Sequence, residues 1–208
     1  GKWALETLPV SASVLFIKKG EQCMYIVTYK GPFGFIKPWT AVRDGEMFSQ
    51  QFLTPSIIEG IEKKLFPELL SSPGIHKIVR HKLCCQAMSA QQEVTQAHAW
   101  KNTRKSHERS RSIINRDILV NPVLCLAFAN VDDAMLASRQ HVCLCRNEDV
   151  MLPEKEIKEM DGQTFSQLPG FELCIGQSDQ SFLVGFNRFD NQKPMYGWIE
   201  YNGISLTR

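Results

Sequence analysis

The sequence predicts an α+β protein: an N-terminal antiparallel β-meander with a packing helix, a helical middle, and a C-terminal small antiparallel sheet. Three observations carry this expectation. Residues 13–36 break into short β-branched and aromatic runs separated by Gly and Pro. Residues 57–69 repeat Ile and Leu every four positions, and residues 171–201 return to alternating apolar runs.

In chain order, residues 13–18 (SVLFIK) end at the Lys19-Gly20-Glu21 turn, residues 23–29 (CMYIVTY) form a second strand, and residues 33–36 begin a third that stops at Pro38. Loops this short make antiparallel neighbours. A helix follows. Thr54 or Ser56 caps it, Pro55 suits its first turn, and Ser56 and Glu59 have capping-box spacing. Ile57, Ile61, Leu65 and Leu69 line its apolar face, and Pro67 interrupts its end. A second helical stretch is expected from Pro73, with Ile75, Val79 and Leu83 on one side and Ala87, Ala90, Val94 and Ala97 continuing it. Residues 100–112 (WKNTRKSHERSRS) have no apolar stripe and read as an exposed helix end or a loop. Residues 123–128 (VLCLAF) fit a buried strand or a buried helix.

Asn130 is placed to cap a helix over residues 131–140. Residues 141–146 alternate as a strand, and Pro153 opens a short polar helix that stops before Gly162. Residues 171–175, 181–188 and 195–201 read as three strands, with a hairpin loop over 189–194. The chain thus divides into residues 1–72, 73–140 and 141–208. Either its ends form two small sheets around a helical middle, or the terminal strands join one sheet and the whole closes as one domain. The self-contained meander favours the first.

With 43% hydrophobic and 22% charged residues, the 208-residue chain has a globular rather than a disordered balance. No apolar run approaches the roughly 18 residues of a membrane span. Gly1-Lys2-Trp3-Ala4 opens no signal-peptide pattern, and a start at Gly1 fits a chain cut from something longer. The seven cysteines are odd in number and irregularly spaced, several within apolar strings, as expected for reduced, buried thiols of a nuclear or cytoplasmic protein.

Net charge is only +2, but it is unevenly spread. Residues 1–70 carry 8 basic and 7 acidic side chains, residues 71–120 carry 9 and 3, and residues 121–208 carry 7 and 12. A basic middle beside an acidic end points to internal complementarity or to an anionic partner. The cations concentrate at Lys101, Arg104, Lys105, Arg109 and Arg111, and Trp100 beside them could stack on a base. On a helix, Lys101, Arg104, Lys105 and Glu108 would share a face. The plain alternative is a solvated loop paired with the acidic third.

The string Ile26-Val27-Thr28-Tyr29-Lys30-Gly31, followed by Phe35-Ile36 and a helix from Pro55, resembles the later strands of a PWWP or Tudor-like barrel. Residues 10–18, on the strand that would precede it, hold only Phe16 as an aromatic and lack that family's Pro-Trp-Trp-Pro-like string. The resemblance implies a cage for methylated lysine built from Tyr25, Tyr29, Phe33, Phe35 and Trp39, because a methylated ammonium sits well against ring faces. The alternative is that these rings are core.

His81 with Cys84, and His141 with Cys143 and Cys145, are remote candidates for a zinc site or a thiol–imidazole pair; the plain alternative is core thiols. There is no G-x-S-x-G, phosphate-binding glycine loop or dinucleotide fingerprint. No catalytic residue and no cofactor are assigned. The first reading is therefore a nuclear binding module that contacts nucleic acid or chromatin through the basic middle segment. Its partners are DNA or RNA, or a histone tail or other protein, and no membrane. A protein–protein scaffold domain and an enzyme with dispersed Cys and His residues are the alternatives.

Overall fold

The computed structural model describes residues 23–38, 46–102, 106–187 and 190–203, with the backbone alone over 95–102 and 107–110. Twelve strands and three α-helices follow in the order β1 (Met24–Lys30), β2 (Phe33–Gly34), β3 (Glu46–Phe48), α1 (Pro55–Leu65), β4 (Ile78–Cys84), β5 (Ala87–Asn102), β6 (His107–Val120), β7 (Val123–Phe128), α2 (Val131–Ala137), β8 (Val142–Cys143), β9 (Val150–Met160), α3 (Gly162–Gln167), β10 (Gly170–Ile175), β11 (Phe182–Asn187) and β12 (Lys193–Asn202). A 3-10 turn over Pro67–Leu69 follows α1, where Pro67 ends the helix.

Eight strands form one antiparallel sheet in the order β11-β12-β10-β4-β7-β1-β9-β8. N-terminal, middle and C-terminal segments all contribute to it. Both faces are covered near its centre. On one face Ile58, Ile61 and Leu65 of α1 and Ala134 and Ala137 of α2 pack on Val27, Tyr29, Leu124, Leu126 and Phe128. On the other, Phe165 of α3 packs on Met24, Ile26 and Ala127. β1 therefore buries both its odd and its even positions, as a central strand does.

α1 starts where expected. Thr54 is its N-cap and accepts a hydrogen bond from the Ile57 N–H at 3.4 Å. Glu59 turns instead to Lys63, one turn on, at 2.6 Å. The helical middle is corrected: residues 73–140 hold four strands and only the short α2. Of the residues spaced by four, Ile75 precedes β4, while Val79 and Leu83 lie on it, where pairing with β7 shifts register between Ile78 and Arg80. The polar helix expected from Pro153 is instead β9, where Pro153 lies opposite Tyr29 at a register break with β1. β8 reaches only Val150 and Met151, so Pro153 sits on an edge with no N–H required.

The meander is also corrected. β1 is flanked by β7 and β9, while β2 pairs with the end of β6 in a second sheet, ordered β2-β6-β3 with β5 on the far side of β6. The strand expected over residues 13–18 lies outside the described residues.

Candidate nucleic-acid interface

β5 and β6 form an antiparallel ribbon that starts in the second sheet and leaves it. At its foot, Ile118 and Leu119 are buried, and β2 and β3 pair with residues 115–120 of β6. Beyond Asn115 the two strands have only each other among the described residues, with pairs running from Glu93–Ile114 to Asn102–His107. Eight residues at the strand rise of about 3.3 Å carry the ribbon about 26 Å past its last support. From Ser89 to Val94, and from Arg111 to Ile113, every described position is exposed. Val94 and Ile113 face each other across the ribbon, both more than half exposed.

Three of the five cationic residues, Lys101, Arg109 and Arg111, belong to the outer part of this ribbon. Lys101 lies opposite Glu108, Arg109 opposite Trp100, and Arg111, which is exposed, opposite Gln96. Arg104 and Lys105 lie outside the described residues, between the two strands. Residues 95–112 contain five basic residues against one acidic, a net +4. The helical face expected for Lys101 and Glu108 is replaced by a cross-strand pair. Carboxylates of the acidic third are engaged elsewhere: Asp133 with Lys77 at 2.8 Å, Glu172 with Arg80 at 2.5 Å, and Glu154 with Lys30 at 2.5 Å. The sequence does hold a sign of the hairpin. Val94 and Ile113 are placed symmetrically about residues 103–104, with mostly polar residues between them.

The aromatic candidates do not line an open cage. Tyr29 is fully buried and its hydroxyl donates to the Ala137 carbonyl at 2.8 Å. Phe35 is buried beneath two guanidinium groups, Arg116 at 5.1 Å and Arg146 at 5.6 Å from the ring centre. Tyr25 packs against the core, Phe33 is exposed, and Trp39 lies outside the described residues.

The His and Cys candidates do not converge either. β4 is a strand, so His81 and Cys84, three apart, point to opposite faces. His81 is buried with its Nε2 unpartnered, and burial lowers its pKa to about 4. Burial pushes the Cys84 thiol up to about 11, the wrong direction for a thiolate ligand or nucleophile. His141 is exposed, β8 ends at Cys143, and Cys145 follows in a turn. Lys64 Nζ donates to the Cys143 sulfur at 3.5 Å. Among the described residues the group that does come together is Glu172, Cys174 and Glu200, whose ligand atoms lie within 4.8 Å of one another. Arg80 already pairs with both carboxylates, at 2.5 and 3.7 Å.

No protein-family model matches the chain, and no curated relative matches it. Among solved structures, the chain is similar to one described as "CRISPR RNA-guided surveillance complex", with a TM-score of 0.47 and 9% identity, over 86% of this chain and 90% of that one. No helix among the described residues is long and apolar enough to cross a membrane.

Proposed function

We propose that this protein binds nucleic acid, with the β5–β6 ribbon gripping the phosphate backbone. The carrying observation is that Lys101, Arg109 and Arg111 lie on the part of the ribbon that no other described strand supports, within a stretch, residues 95–112, of five basic residues and one acidic. Phosphate binding needs positive groups displayed along an accessible surface, and the affinity it gives falls steeply with salt. A ribbon reaching about 26 Å outward offers such a surface, and Arg111 on it is exposed.

The test is fluorescence anisotropy with short single-stranded and duplex DNA and RNA at two salt concentrations. It compares the unaltered chain with one in which Lys101, Arg104, Lys105, Arg109 and Arg111 are all changed to Gln. Micromolar binding should fall sharply in the variant, and its dependence on log salt should flatten by about 0.7–0.9 for each phosphate that is no longer neutralised. Unchanged affinity and slope would remove the ribbon from the interface.

A second reading, a protein–protein scaffold, is favoured by a different feature. Leu183, opposite Tyr196, and Phe186, opposite Pro194, leave exposed apolar surface on the β11–β12 end of the large sheet. That reading expects no nucleic-acid binding even at low salt, and a loss of partner capture when Leu183 and Phe186 are changed to Ser.

A further inference from the structure

Resting on the nucleic-acid reading, we infer that Arg116 and Arg146 form a second phosphate clamp at the foot of the ribbon, so that the bound backbone runs from the ribbon onto the body of the protein. The two arginines come from distant segments. Arg116 lies in β6 where β5 and β3 both flank it, opposite Gln91 and Met47. Arg146 lies in the turn after β8. Both guanidinium groups rest on the buried Phe35 ring.

Three carboxylates hold the pair, Glu93 on Arg116, and Asp149 with the exposed Glu148, at 3.5 Å, on Arg146. Asp149, fully buried, takes Arg146 Nε at 3.0 Å and Nη2 at 2.6 Å, and also accepts the backbone N–H groups of Phe35 at 3.1 Å and Arg146 at 3.3 Å. Arg116 pairs with Glu93 of β5. Side-chain exposure is 29% for Arg146 and 22% for Arg116, and the Nη1 of Arg146 and both terminal nitrogens of Arg116 make no hydrogen bond among the described residues.

Packing alone explains one arginine on Phe35. The pair brings its own exposed counter-ions, Glu93 and Glu148, which a phosphate must displace, whereas the buried Asp149 stays in place. A guanidinium already fixed by a buried carboxylate loses little freedom on gripping a phosphate, and its planar fork suits two phosphate oxygens.

The test uses the unaltered chain first. Arginine modification by phenylglyoxal is followed by peptide mass spectrometry, with and without the oligonucleotide that binds best. Arg111, Arg116 and Arg146 should all be protected. Arg116→Gln, which unpairs the half-exposed Glu93 and removes one guanidinium from Phe35, should lower the salt slope by about 1 while circular dichroism shows the fold retained. Arg146→Lys keeps a cation beside Asp149 but loses the fork, and should weaken binding while the fold holds. Protection of Arg111 alone, with a normal salt slope for Arg116→Gln, would overturn the clamp and leave the ribbon reading standing. Absence of protection at all three would sink both. Equal protection of Arg116 and Arg146 by inorganic phosphate at matched phosphate concentration would overturn the clamp as a backbone contact, because it would then be a free-anion site.

Discussion

His81 and Lys82 are adjacent in β4, buried, and dealt with in opposite ways. His81 has no partner for Nε2 and is kept neutral by burial, its pKa lowered from 6.5 to about 4 despite Glu172 nearby. The folded pKa lies below the unfolded one, so the unfolded chain takes up the proton first. The stability due to neutral His81 is whole above pH 6.5 and drains away as pH falls from 6.5 towards 4, by about 3 kcal/mol in all. Urea midpoints above pH 6.5 and near about pH 5 should diverge in the wild type and converge in His81→Leu. Lys82 stays satisfied: its Nζ donates to the carbonyls of Ser166 at 2.6 Å and Leu168 at 2.7 Å, tying down the end of α3. Burial lowers its pKa too, but the carbonyls hold the ammonium in place. Lys82→Met should cost about 1–3 kcal/mol, and hydrogen exchange should show α3 loosened while α1 keeps its protection.

At the scale of elements, α1 is anchored at both ends. Thr54 caps its start, so Thr54→Ala should lower stability by about 1 kcal/mol in thermal melts. Glu62, fully buried, receives the backbone N–H groups of His76 at 2.8 Å, Lys77 at 2.6 Å and Ile78 at 2.7 Å, fixing the entry into β4. This helix was legible in the sequence because it buries one side only, and its caps are chemical signals that do not depend on neighbours. β4, β5 and β9 were not. β4 buries residues on both faces and contains a register shift, so neither a period of two nor of 3.6 survives. β5 is polar along most of its length and β9 from Glu154 to Glu159 apart from Ile157, and pairing with β6 and β1 decides their conformation more than propensity does. The candidate site was half legible. The cations show in composition, but their presentation on a ribbon, and the meeting of Phe35, Arg116 and Arg146 from three separate segments, depend on long-range pairing. Close approach is decisive at Gly197 of β12, where a Cβ would lie 2.4 Å from the Cys174 carbonyl oxygen and 2.9 Å from Val184 Cγ2. Gly197→Ala should therefore free β11 and β12 together, seen as rapid proteolytic cleavage within residues 176–195 while the remaining sheet resists.

For the molecule as a whole, the order of strands in space differs sharply from their order in sequence. β1 lies between β7 and β9, so the first described strand is sealed only by residues 123–128 and 150–160. β10, which borders β4, comes later still. Contacts so distant along the chain make folding slow, and refolding from urea should take milliseconds to seconds rather than microseconds. The same arrangement has a consequence during synthesis. At ribosomal rates, on the order of ten seconds separate the emergence of β1 from that of β7, the earlier of its two neighbours. Throughout that interval a strand of Met, Tyr, Ile and Val has neither neighbour, and the nascent chain depends on whatever shields it in the cell. Expression at lower temperature or with added holdase chaperones should raise the soluble yield of this protein more than that of a helical protein of equal size.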